Sequence, residues 1–114
     1  MARGRKRTQP CGEVQARQRL AHARSFLEVA ELTADVSDPN LEYGSVAASV
    51  AILAGIAAAD AACCQMLGRR SRSDDHHDAE GLLLEIVPGG KLAGGQLRKL
   101  ITLKDAAHYG FISV

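Results

Sequence analysis

Residues 68–79 read GRRSRSDDHHDA, and no other stretch of this 114-residue chain is as dense in groups that can do chemistry. Arg69, Arg70 and Arg72 are permanently charged forks whose N–H groups match the oxygens of a phosphate. His76 and His77 follow closely, and an imidazole titrates near neutrality, so it can take or give a proton. Arginines that hold a phosphodiester and stabilise developing charge, beside a histidine that moves a proton, make a minimal set for phosphodiester cleavage. The same residues are commonplace in loops between helices, where arginine is solvated and histidine caps. Spacing alone does not separate the two uses. A zinc site from Cys63, Cys64, His76 and His77 is disfavoured, because adjacent helical cysteines diverge by about 100° and the spacing fits no common zinc module. The expectation is therefore no metal and no cofactor.

Helices must hold the ends of this loop. Before it, residues 42–67 form the longest helical pattern, apolar nearly all round. Val46, Val50, Leu53, Ala57, Cys64 and Leu67 make one stripe, and Ile52, Ile56, Ala59, Cys63 and Met66 make another. Such a helix is buried in protein or in a membrane. Its dominance by alanine and the presence of Asp60 argue for protein and against a membrane. Asp60 falls on the first stripe and should point inward, where a lone carboxylate is costly, so it needs a cation. The nearest in sequence are the arginines of the loop. After the loop, Ser73 or Asp74 can cap a helix over 74–87 with Ala79, Leu82, Leu83 and Ile86 inside. Helical register turns His76 toward that face, and His77 toward the side of Glu80 and Leu84. Pro88-Gly89-Gly90 should stop this helix, and Gly94-Gly95 should keep a flexible connection to a last helix over 96–108.

Upstream, residues 13–36 repeat apolar groups at three and four, with Leu20, Ala23, Leu27, Ala30 and Ala34 inside and Arg17, Arg19 and Arg24 on the wet side. Residues 1–12 are basic and aperiodic and read as a disordered tail, or more sharply as a loose phosphate-binding arm, so 13–114 is the one folded domain. Aliphatic and small residues dominate a hydrophobic content of 46%, whereas aromatics supply only 4%, which favours close-packed helices over sheets. A net charge of +1 gives no global pull toward nucleic acid. The first ten residues lack the apolar run of a secretory signal. The three cysteines accordingly read as reduced thiols, and the location as cytoplasmic.

The segment AAADAACCQMLGRRSRSDDHHDA, the Leu-rich helix after it and LKDAAHYG together resemble the HEPN superfamily, in particular its small stand-alone actinobacterial-type proteins. The resemblance covers about 16–110. It implies an all-α, up-and-down four-helix bundle. It also implies a metal-independent endoribonuclease acting on single-stranded RNA, with two subunits bringing their motifs together as a homodimer. Arg70 and His76, with five residues between, match the family's arginine–histidine motif, although other pairings among Arg69, Arg70, Arg72, His76 and His77 also fit. By this likeness Arg70 holds the phosphate, His76 acts on the ribose 2′-hydroxyl or leaving oxygen, and Asp60 orients the pair. Arg69, Arg72, His77 and Lys104 are further substrate contacts, and Tyr109 packs at the rim. Some family members are non-catalytic interaction or nucleic-acid-binding modules, or have a protein partner in a toxin–antitoxin or defence setting. Relatives of this kind continue past the tyrosine into a final helix with no counterpart before Val114, which implies either a truncated sequence or cover supplied by self-association or a partner.

Overall fold

The computed structural model describes residues 7–36, 42–72 and 76–108, and for 76 and 104–108 the backbone alone. The elements run β1 (Thr8–Pro10), α1 (Glu13–Ala34), α2 (Tyr43–Leu67), β2 (Arg69–Ser71), α3 (His76–Leu83) and α4 (Gly90–His108). The chain is mainly helical, as its composition requires. An unexpected addition is a small antiparallel sheet, with Thr8 opposite Ser71, Gln9 opposite Arg70 and Pro10 opposite Arg69. The segment expected as a loose tail over 1–12 is thus ordered from Thr8 onward. Its local pattern is too short to show this, because the strand exists only through pairing with β2.

Alanine governs how α1 meets α2. The buried positions of α1 are Ala16, Ala23 and Ala30, and those of α2 include Ala47, Ala54 and Ala61, both sets seven residues apart. Arg19 reaches Asp60, and Cys11 just before α1 reaches Cys64, so the helices run antiparallel. That register sets Ala16, Ala23 and Ala30 level with Ala61, Ala54 and Ala47. Methyl groups on both sides allow an approach near the short end of the usual range of roughly 8–10 Å. Leu20 and Leu27, expected inside, are instead substantially exposed, as are Val46 and Leu53. At a seam this tight, larger side chains are displaced to its rim.

A second core lies on the other side of α2. Ala59 and Cys63 of α2 pack with Ala79, Leu82 and Leu83 of α3 and with Leu97 and Ile101 of α4. Leu82 and Ile52 are almost completely buried, each contributing about 1.5–3 kcal/mol. Helix α2 is long and apolar enough to cross a membrane by length and composition. In this fold it lies between α1 and the α3/α4 pair.

Two boundaries differ from the sequence expectation. Helix α3 ends at Leu83, because the chain tightens there: Glu85 N–H donates to Leu82 O and Ile86 N–H to Leu83 O, both at 3.0 Å. Helix α4 begins at Gly90, so Gly94 and Gly95 lie inside it and form no flexible connection. Close packing explains two of these glycines. A Cβ on Gly90 would stand 2.0 Å from Leu83 O, and one on Gly94 would stand 3.0 Å from Leu84 Cδ2.

The cysteines are a third correction. Cys11 and Cys64 form a disulfide with an S–S distance of 2.08 Å, while Cys63 stays outside it, buried in the second core. The neighbours Cys63 and Cys64 do diverge, but only the β1–β2 pairing brings Cys11 to the end of α2. Closing a loop across a sequence separation of 53 contributes on the order of 4 kcal/mol in the chain-entropy model.

Candidate functional site

Asp60 sits in the interior of α2, and its side chain is only 8% exposed. A carboxylate there is tolerable only with full charge pairing. Three N–H groups supply it, all aimed at Oδ2: Arg19 Nε at 3.2 Å, Arg19 Nη2 at 3.0 Å and Arg70 Nη1 at 3.3 Å. The cation that the inward register demanded is therefore a pair of arginines from two different elements.

Local backbone chemistry delivers Arg70. Gly68 ends α2 in the left-handed region, with φ of 72°, a conformation that glycine adopts without penalty. Its carbonyl then accepts the Cys11 N–H at 3.0 Å, which starts the pairing of β1 with β2. Successive strand residues point to opposite faces. Arg70 faces Asp60, and its neighbour Arg69 faces away into an ion pair with Glu85. Gln9 lies opposite Arg70 in register, and with its amide oxygen turned inward it accepts from Arg70 Nη2 at 3.0 Å and Nε at 3.2 Å. The guanidinium is thus fixed on two sides.

The other expected site residues are scattered by comparison. Arg72 is exposed at the end of the hairpin, where its N–H donates to Arg7 O at 3.2 Å. His77 stays on the side of Glu80, with Nδ1 and Oε1 3.2 Å apart. His76 is the first residue of α3, and its side chain, like that of Lys104, lies outside the described residues. So does Tyr109, together with the proposed caps Ser73 and Asp74. The structure brings together Asp60 and Arg70, and it turns Arg69 away from them.

Arg19 and Gln9 were missed by reading the sequence for chemistry. Gln9 carries no signal, since its role depends on strand pairing. Arg19 does carry one: it lies three residues after Ala16 and four before Ala23, on the buried face of α1. Its Nη1 also approaches His22 Nδ1 at 3.3 Å.

A second buried carboxylate, Glu80, stands on α3. Its Oε2 accepts from Arg98 Nε at 2.8 Å and Nη2 at 2.6 Å. The Arg98 hydrogen bonds hold the Glu80 carboxyl below its ordinary value of 4.5; burial opposes this and His77 assists it. The same pairing raises Arg98. Among the described residues no three His, Cys, Asp or Glu side chains converge as a metal-binding group. Around Asp60 the two arginines exceed the carboxylate by one charge, which suits an anion.

No family model, curated protein or solved structure matches the chain. The likeness to HEPN domains therefore rests on the residues named above.

Proposed function

We propose that this protein binds single-stranded RNA at the Arg70 end of the molecule and cleaves it without a metal, as a HEPN-type endoribonuclease working as a homodimer. The observation that carries this reading is the fixed Arg70 fork, held by Asp60 and Gln9 on the strand that leads into α3 at His76. Arg70 would hold the phosphate, His76 would move the proton of the ribose 2′-hydroxyl, and Asp60 would orient the arginine. Arg72 and Lys104 would make outlying phosphate contacts, and His77 would stay with Glu80. On this reading the four helices make an up-and-down bundle of HEPN kind.

A second reading has its own support. With Asp60 and Gln9 both engaging Arg70, the arginine already has a structural task, which favours a non-catalytic HEPN module that binds nucleic acid or a protein. The disulfide bears on location in either case. Disulfides persist in oxidising surroundings and are rare in a reducing cytosol. A cytoplasmic location therefore requires Cys11 and Cys64 to be reduced there.

The deciding experiment is cleavage of unstructured RNA in excess EDTA by wild type and His76→Ala, with mapping of product ends. Cleavage by wild type alone, leaving 2′,3′-cyclic phosphate and 5′-hydroxyl ends, is the expected result. Equal cleavage by both proteins, or none by either, would remove His76 as catalyst and leave the binding module.

A further inference from the structure

Arg19 belongs to the helix farthest in sequence from the loop chemistry, yet it grips the same carboxylate oxygen as Arg70. Its side chain is 24% exposed and that of Arg70 30% exposed, so both arginine side chains reach solvent in part while Asp60, at 8%, is buried. Each arginine has five N–H groups. Asp60 and His22 engage three on Arg19, and Asp60 and Gln9 engage three on Arg70, which leaves two on each. The neighbouring hairpin adds Arg7 and Arg72, both exposed, and neither β1 nor β2 contains an acidic residue.

We propose that Arg19 and Arg70, locked side by side through Asp60, form a receptor for one tetrahedral phosphate-type oxyanion, with Arg19 as a phosphate-holding residue supplied by α1. This rests on the proposed function only for the source of that phosphate, a phosphodiester of RNA or free phosphate. The physical case is preorganisation. A lone surface arginine loses rotamer freedom when it clamps an anion, whereas these two have already lost it to Asp60. Asp60 cancels only one of their two charges, and partial burial weakens solvent screening of the other. Two forks from separate elements can hold separate oxygens of one phosphate, a geometry that lysine cannot reproduce.

The test is an NMR titration of the arginine Nε–H resonances with inorganic phosphate at constant ionic strength, using wild type, Arg19→Lys and the exposed control Arg24→Lys. Saturable shifts of both Arg19 and Arg70 are expected in the wild type. Arg19→Lys should weaken phosphate about tenfold, the loss of about 1.4 kcal/mol, and Arg24→Lys should bind as wild type. No saturable shift at Arg19, or full affinity in Arg19→Lys, would overturn the proposal. The wild-type arm decides even if Arg19→Lys fails to fold. Competition by a short oligouridylate then identifies the source. Displacement of phosphate points to RNA. Phosphate binding without displacement keeps the receptor, assigns it to free phosphate, and counts against RNA at this site.

Discussion

Asp60 and Glu80 are the two charged residues buried among the described residues, and each is met by an arginine fork from a neighbouring helix. Their surroundings differ in charge and depth. Glu80 is balanced by Arg98, whose side chain is 65% exposed, with His77 at the rim. That pair is a latch between α3 and α4. Asp60 is shared by two half-buried arginines, which leave one positive charge over. A one-to-one pair ends in neutrality, whereas a two-to-one cluster keeps a reason to bind an anion. Burial of a carboxylate is common to both clusters; the surplus charge on its partners is what sets Asp60 apart, and the anion-receptor proposal rests on it.

The largest effect should come from Asp60→Ala. It leaves two guanidiniums facing each other without their shared partner, and breaking a buried pair costs about 3–5 kcal/mol. Urea denaturation of the oxidised protein measures this, and a loss no greater than that of Glu80→Ala would abolish the contrast. Glu80→Gln should cost less, on the order of 1 kcal/mol, since an acceptor remains for the exposed Arg98. Its pH dependence sharpens the comparison. The folded-state Glu80 value lies below the ordinary 4.5, so between the two values the unfolded chain binds more protons and stability rises with pH. The difference between wild type and Glu80→Gln should be constant above 4.5 and shrink as pH falls through the folded value. A gap that persists in stronger acid would show that charge pairing is not what Glu80 contributes. The smallest effect is at the latch's own helix. Gly95→Ala meets nothing within 4 Å and should stabilise α4 by up to about 1 kcal/mol, read as a rise in melting temperature.

The limits of α2 and the inward register of Asp60 were legible because both follow from local periodicity and the αL glycine at its end. The pairing of Asp60 with Arg19 was not, because its partner lies 41 residues away and a surface-type residue on α1 looked solvated. The same nonlocality hid Cys11, whose disulfide depends on a strand that exists only when paired. Gly94 misled for another reason. Glycine ordinarily interrupts a helix, but here it lets α4 lie against Leu84 and the Glu80 carbonyl. The burial of Ala16, Ala23 and Ala30 in place of Leu20 and Leu27 reflects a preference for small over large side chains that hydrophobic patterning does not weigh. Of the candidate site, the Asp60–Arg70 pair was readable, and its α1 half was not.

The alanine seam leaves a question of slippage. Because its layers recur every seven residues on both helices, moving α1 along α2 by two turns would place alanine against alanine again. Methyl layers are nearly indistinguishable to one another, so the seam alone tolerates several alignments. Only features that do not repeat can choose among them, and the disulfide and the Arg19–Asp60 pair are of that kind. The carboxylate that gathers the arginines thus also acts as an index mark: any slide of α1 would carry Arg19 away and leave the buried Asp60 with Arg70 alone.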